Sequence, residues 1–280
     1  MNGKLMVVGT PIGNLSDFSP RAVETLQEAD FIAAEDTRVT VKLLNHFAIK
    51  KPMISYFEHN KRERGQIICD RIEQGETCAL VSDAGMPAIS DPGEMLVAQC
   101  AERGIPVYVV PGPSAVVSAL AISGLPTGRF TFEGFLSVNK KSRRTHLEEV
   151  KKEQRTMIFY EAPHKLSSTL ADMLAAWGNR RIALIRELTK IHEEVVRATL
   201  SEAVERYKDG GAKGEFVLVI EGAPAPEATE FTLEDGIAMA QDLLSDGLSS
   251  SEAAKKAAAE TGLKKGDIYK AILQNERNDG

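Results

Sequence analysis

Short apolar runs, each released into a turn of small residues and separated by stretches with helical spacing, constrain this chain more than any other feature. Leu5 to Gly9, Phe31 to Ala34, Pro52 to Tyr56, Thr77 to Ser82 and Val107 to Val110 are mostly continuous and rich in β-branched residues. A strand with one wet face alternates apolar and polar residues, whereas a continuous run is buried on both faces, as parallel strands are. Between the runs, Pro20 to Glu28, Val39 to Phe47, Lys61 to Gln74 and Gly93 to Arg103 carry helical spacing. Ser19 before Pro20 predicts an N-cap with proline in the first helical position, and Gly75 and Gly104 stand where helices should end. This alternation predicts a sheet covered by helices on both faces.

A second set begins after Pro113. Helices are expected at Ser114 to Ser123, Lys140 to Lys152 and His164 to Trp177, and strands at Phe130 to Gly134, Thr156 to Glu161, Ile182 to Glu187, Glu193 to Thr199 and Glu215 to Glu221. Ser201 is the expected cap of a short helix to Lys208. Several of these strands follow one another with no helix between, which predicts a mixed sheet. A proline-alanine linker at 222–229 leads to three further helices, Leu233 to Leu244, Ser250 to Thr261 and Lys265 to Gln274. The last two, joined through Gly262, have helix-turn-helix spacing. The domains expected are therefore 1–113, 114–224 and 225–280, with a binding turn at the first junction.

Three turns carry the functional signal: Gly9-Thr10-Pro11-Ile12-Gly13-Asn14-Leu15, the segment from Ser82 to Gly93, and Pro111-Gly112-Pro113-Ser114-Ala115. In an open α/β sheet, turns leaving the carboxyl ends of strands form the ligand crevice, and small residues let backbone groups approach closely. None has GxGxxG or Walker A spacing, which weighs against dinucleotide and triphosphate cofactors.

Composition narrows the class. A hydrophobic fraction of 43% and a charged fraction of 26% are those of an ordinary soluble protein, and no run of apolar residues is long enough to span a bilayer, so a cytoplasmic protein is expected. Cys69, Cys78 and Cys100 lie in apolar contexts without CxxC spacing and predict buried free thiols rather than a metal site. The five histidines are scattered without metal-ligand spacing. The net charge is −6, yet residues 139–155 alone sum to +4, leaving −10 for the remainder. A second basic cluster, Lys61, Arg62 and Arg64, follows the aromatic segment Tyr56-Phe57-Glu58-His59. From Glu227 onward the chain is net −5, which makes the terminal helices a docking or dimer-stabilising element as readily as a nucleic-acid binder.

The three turns, in this order, resemble those of the tetrapyrrole-methylase superfamily. The forms GTPIGNL, AAEDTR at Ala33 to Arg38, and VSDAGMPAISDPG resemble its branch that methylates a cytidine ribose 2′-hydroxyl in small-subunit (16S) ribosomal RNA. The resemblance runs from about Lys4 to Gly222. It implies two αβα domains with the cofactor cleft between them, plus a small all-α C-terminal domain. It implies S-adenosylmethionine as cofactor, no metal, and a homodimer acting on RNA of the small subunit, in the assembled subunit. By resemblance, the cofactor lies against Pro11, Asp83, Ala84, Gly85, Met86, Ile89, Ser114 and Ala115. Met86 stands where the family pattern often has an acidic residue, so a polar contact of that side chain would pass to Asp83 or to main-chain groups.

Methyl transfer to a hydroxyl requires alignment and the management of one proton. Glu35 and Asp36 follow a strand end, where either can take the proton or hold the ribose, and Arg38 can stabilise the oxyanion or clamp a phosphate. The alternative role of these acids is to decorate a helix N-terminus. Glu187 and Lys190, pairing across a turn, are further catalytic candidates, with Glu215 nearby in the pattern. With an RNA substrate, Lys61, Arg62 and Arg64 and Lys140, Lys141, Arg143 and Arg144 become the RNA-binding candidates. Two rival functions remain at this stage: methylation of a tetrapyrrole ring carbon, and a non-catalytic RNA-binding assembly factor that keeps the fold.

Overall fold

A computed structural model describes residues 3–225 and 231–278. Of the linker expected at 222–229, residues 226–229 lie outside the described residues. The chain divides into one compact unit to Pro224 and a second from Ala225. The first unit contains two five-stranded sheets.

The first sheet is built from β1 (Lys4–Val8), β2 (Phe31–Ala34), β3 (Met53–Ser55), β4 (Thr77–Val81) and β5 (Val107–Val110), all parallel, in the order β3-β2-β4-β1-β5. The connecting helices are α1 (Pro20–Glu28), α2 (Thr37–His46), α3 (Lys61–Glu73) and α4 (Gly93–Glu102). Ser19 caps α1, its hydroxyl accepting from the Ala22 N–H at 3.1 Å. The continuous apolar strands need cover on both sides and receive it: Leu5, Phe31 and Leu80 pack on Ile68 and Ile72 of α3 and Leu96 of α4. On the other face, Val8, Ile32 and Val81 pack on Ala22 and Leu26 of α1 and Leu44 of α2. Cys69, Cys78 and Cys100 are buried free thiols in the first of these cores.

In the second sheet, β6 (Phe130–Phe135), β7 (Thr156–Glu161), β8 (Arg181–Arg186), β9 (Glu194–Thr199) and β10 (Phe216–Ile220) stand in the order β6-β7-β10-β8-β9. Only β6 and β7 pair in parallel, so the sheet is mixed, as the strand succession predicts. α5 (Ala115–Ser123) covers one face, and α6 (Lys140–Glu149), α7 (Leu166–Trp177) and α8 (Leu200–Tyr207) cover the other. Fully buried β10 shows the period of two: Phe216, Leu218 and Ile220 face the three-helix side, and Val217 and Val219 face α5.

Two of the boundaries that differ from the sequence reading do so through capping. Thr199 rather than Ser201 caps α8, because Glu202 returns a carboxylate to the Thr199 N–H at 2.8 Å and closes a capping box. α2 starts at Thr37 rather than Val39, because Asp36 is its N-cap and accepts from the Arg38 N–H at 2.8 Å.

The second unit consists of α9 (Leu233–Ser245), α10 (Ser250–Thr261) and α11 (Lys265–Asn278), with left-handed Gly262 ending α10. Its core is its own: Ala240, Ala253, Ala254, Ala257, Ile268 and Ile272. No described helix is long and apolar enough to cross a membrane. Because the sheet cores draw only on residues before Glu221, a chain ending at Pro224 is expected to fold alone. Circular dichroism should show a single cooperative melt within a few degrees of the full chain's main transition.

Candidate active site

The strands that carry the three turns, β4, β1 and β5, are neighbours in the sheet, and β2, which Glu35 follows, lies on the other side of β4. All four carboxyl ends therefore open on one edge, the place where ligands bind in such sheets. Backbone contacts lock the turns together. Thr10 and Gly85 exchange both hydrogen bonds, at 2.9 and 3.1 Å, tying the first turn to the second. Gly9 and Gly112 tie the first to the third: a Cβ on Gly112 would lie 2.9 Å from three Gly9 backbone atoms, so neither position tolerates a side chain. Met86 completes the joint, its Sδ accepting the Gly112 N–H at 3.3 Å. The residue that departs from the acidic family pattern thus takes a main-chain contact with its sulfur.

The second turn is held in an unusual backbone conformation. Ala88 and Ser90 have φ of 68° and 65°, in the left-handed region that costs a side-chain-bearing residue about 1–3 kcal/mol. Asp91 stabilises it: its carboxylate accepts from the N–H groups of Ala88 (3.0 Å), Ile89 (3.2 Å) and Gly93 (2.8 Å). Asp91 was not among the sequence candidates. Its signal was legible as Asp-Pro-Gly, an Asx-type turn initiator.

Around this frame the proposed cofactor residues converge on one cleft edge. Gly85, whose hypothetical Cβ would stand 3.2 Å from Ile12 Cγ2 and 3.5 Å from the Pro113 carbonyl, links all three turns. Asp83, Ala84 and Ile89 are exposed; Pro11, Met86, Ser114 and Ala115 are half-buried. Ser114 is the N-cap of α5, yet its hydroxyl makes no capping hydrogen bond. The cradle is thus mostly backbone, with a few convergent polar groups, the composition of a small-molecule site.

Glu35 and Asp36, adjacent in sequence, sit in different environments. Asp36 accepts from the Arg38 side chain (2.6 Å at the closest) and the Arg38 N–H, which hold its carboxyl down at about 2. Burial pushes the Glu35 carboxyl above its ordinary value, and nearby Asp83, Asp91 and Asp36 add to the rise, partly offset by a hydrogen bond from the Asp83 backbone. Burial also raises Asp83, which accepts the Asp36 N–H at 3.0 Å. Asp36 is a cap and a salt-bridge partner. Of the two, Glu35 is the carboxylate whose affinity for a proton is raised.

Glu187 and Lys190 lie at the same cleft through the β8–β9 turn. Lys190 Nζ bridges Glu187 Oε1 (2.9 Å) and Glu215 Oε2 (3.0 Å), and its stem packs where a Gly13 Cβ would lie, 2.5 Å from Lys190 Cγ. A hydrogen bond from the Glu215 backbone and the Lys190 ammonium hold the Glu187 carboxyl below its usual range. Burial alone would pull Lys190 down, but its two carboxylate partners outweigh it and raise it. Lys190 is held by both carboxylates and packs on the first turn, and Glu187 is held by Lys190 and the Glu215 N–H, an arrangement that suits positioning, since a doubly paired ammonium and a stabilised carboxylate are poor proton carriers.

The basic candidates divide. Arg62 and Arg64 on α3 and Lys140, Lys141 and Arg144 on α6 are exposed, and Lys61 is half-buried. Arg143 is the exception, a correction to the sequence reading. It is 7% exposed, and its guanidinium binds Asp172 Oδ2 through Nε (2.9 Å) and an Nη (2.7 Å) and also donates to the Ser137 carbonyl. Its place four residues before buried Leu147 puts it on the inner stripe of α6, a spacing that charge counting ignores.

A family model for tetrapyrrole (corrin/porphyrin) methylases matches residues 4–204. A ribosomal RNA small subunit methyltransferase I from Halalkalibacterium halodurans is 50% identical over 275 residues, 97% of this chain and 95% of the relative. One of the same name from Thermotoga maritima is 49% identical over 220 residues, 79% of this chain and 99% of the relative. Among solved structures, the uroporphyrin-III C-methyltransferase of Thermus thermophilus complexed with S-adenosylhomocysteine superposes with a TM-score of 0.54 at 18% identity, covering 78% of this chain and 97% of that one.

Two outcomes are expected. Gly112→Ala should force the first and third turns apart, weakening S-adenosylmethionine binding at least tenfold by calorimetry and costing about 1–3 kcal/mol of stability. Arg143→Ala, which empties a buried site and leaves half-buried Asp172 only the longer Arg144 contact at 3.5 Å, should cost about 3 kcal/mol in denaturant unfolding while leaving RNA affinity within twofold.

Proposed function

Since the chain belongs to the tetrapyrrole methylase family, in its ribosomal RNA small subunit methyltransferase I group, we propose that its cleft methylates the ribose 2′-hydroxyl of a cytidine in 16S ribosomal RNA. The chain is an S-adenosylmethionine-dependent methyltransferase acting on small-subunit ribosomal RNA. The first unit carries the reaction: the Thermotoga maritima relative is shorter than this chain by roughly the length of the second unit.

The cradle suits the cofactor on its own chemistry. Backbone groups of the three turns, the Ser114 hydroxyl and the apolar faces of Ile89 and Met86 would hold a ligand of mixed polarity, and the carboxylates of Glu35, Asp83 and Asp91 favour a cation. S-adenosylmethionine supplies a methyl group on a positively charged sulfonium, so neither a metal nor a covalent nucleophile is required. The protein's own tasks are alignment and proton removal. Glu35 accepts the ribose hydroxyl proton as the oxygen gains the methyl group. Its raised affinity for a proton makes it a better base than Asp36, which Arg38 holds ionised. Arg38, with a side chain 88% exposed and fixed on Asp36, presents its guanidinium edge to an RNA phosphate. The observation that carries this reading is the divergence of two adjacent carboxylates at the mouth of a backbone-lined cradle.

The exposed cations of α3 and α6 supply the phosphate contacts that a protein of net −6 must concentrate locally. The protein works as a homodimer, a reading supported by Tyr108 and Val109 on the edge strand β5, each 55% exposed, and by Val117 on α5 at 51%. Its substrate is the assembled subunit in the cytoplasm. Likeness to porphyrin methyltransferases at 18% identity bears on the fold only and does not favour a tetrapyrrole acceptor.

The test is transfer of labelled methyl from S-adenosylmethionine to small subunits isolated from cells lacking this protein, followed by nuclease mapping. A single labelled ribose is expected; label on a base, or none, would overturn the reading. Glu35→Gln should lower kcat about 100-fold and weaken cofactor binding far less, since Asp83 and Asp91 keep their charge. In the parent, kcat should fall as pH drops through a value raised from the ordinary one of a glutamate. Because the folded-state affinity of Glu35 for protons is raised, the group favours folding below its unfolded pKa and loses that contribution as pH rises through its folded one. Glu35→Gln should therefore be slightly more stable than the parent at pH 8 and lose that advantage in acid, a crossover that thermal melts across pH would register.

A further inference from the structure

α3 and α4 flank an open groove of about 570 Å³ on the outer side of the second turn. A volume of this order holds a nucleobase with its sugar. Its lining is unequal from side to side. Lys61 and Arg62 stand on the α3 side, Glu94 and Glu102 on the α4 side, and Met95 and Ala98 add apolar surface with the amides of Gln66 and Gln99 beside them. Gln99 turns its Oε1 onto Gly65 of α3, where it is buried in the contact between the two helices, and Gln66 presents its exposed amide to the groove.

We infer that this groove receives one unstacked base of the RNA substrate, a neighbour of the methylated nucleotide. The inference rests on the reading that the substrate is RNA. The distribution of charge orients the ligand: phosphate is drawn to Lys61 and Arg62 and repelled by Glu94 and Glu102, so the backbone follows α3 and the base enters toward α4. Inside, ring faces lie on Met95 and Ala98, and exocyclic amino or ring N–H groups donate to the Gln66 amide oxygen and to the glutamates. Phe57, 38% exposed, and His59, edge-on to it at 6.2 Å, occupy the turn that enters α3 and extend the surface with the aromatic chemistry on which single-stranded RNA stacks. Asp91 joins the groove to the methyl site. It lines the groove and binds the backbone of the second turn, and its charge reaches Glu35. A base seated here is thus placed beside the cleft where the ribose reacts.

Ala98→Trp fills the groove from an exposed position of α4, and Gln66→Ala truncates an exposed side chain of α3 with no structural duty. Both are assayed on small subunits from cells lacking the protein. The Michaelis constant for subunits should rise about tenfold in Ala98→Trp and at least threefold in Gln66→Ala, a loss comparable to that of one stacked or hydrogen-bonded base. The rate at saturating subunits and the dissociation constant for S-adenosylmethionine should stay within twofold. Unchanged Michaelis constants in both variants would overturn the groove assignment while leaving the methyltransferase reading intact. If the parent transfers no methyl to subunits, the RNA reading fails and the groove assignment falls with it. Should Ala98→Trp lose cofactor binding, Gln66→Ala decides alone.

Discussion

Everything at the cleft depends on the close approach of three backbone turns, fixed by the two-way hydrogen bonding of Thr10 with Gly85 and by the contact of Gly9 with Gly112. Such contact is open only to residues without side chains, and it draws the carboxyl ends of β4, β1 and β5 into one rim. The strained second turn is affordable because Asp91 satisfies three of its N–H groups. From the other sheet, the Lys190 stem props the first turn at Gly13 while its ammonium is held by Glu187 and Glu215. The rim is thus braced from both sheets of the unit, which a site that must align two reacting atoms requires.

On that rim, environment rather than residue type assigns the roles. Glu35 and Asp36 are neighbours of the same charge, yet one is half-buried among other carboxylates and the other caps α2 and binds a guanidinium. Their proton affinities move in opposite directions, the general device by which two acids at one site take different tasks. The cap on α2 also holds Arg38, so the element that starts the helix is the one that fixes an exposed cation at the cleft.

Charge on the surface follows the same rule of placement. Lys140, Lys141 and Arg144 face solvent on α6, while Arg143 on the same helix turns inward to Asp172. A count of basic residues over 139–155 treats all of them alike, although the spacing from Arg143 to Leu147 marks the inner stripe. The groove between α3 and α4 was invisible in the sequence for a related reason: its lining comes from two helices separated in sequence, and only their packing brings Lys61 opposite Glu94.

The sequence by itself determined the elements and the chemistry available to them. Continuous apolar runs specified two-face burial of the first sheet, Ser19 and Pro20 set the start of α1, and the small residues of the three turns marked the rim of the cleft, because caps, periodicity and turn preferences act over a few residues. The family resemblance of GTPIGNL and AAEDTR was legible at the same range. Only the tertiary structure decided that β4, β1 and β5 are neighbours, that Lys190 reaches Gly13, that Arg143 is a core residue, and that Glu35 rather than Asp36 holds its proton more tightly. Each of these depends on strand order, on burial or on the field of charges distant in the chain, quantities that exist only once the backbone has closed on itself.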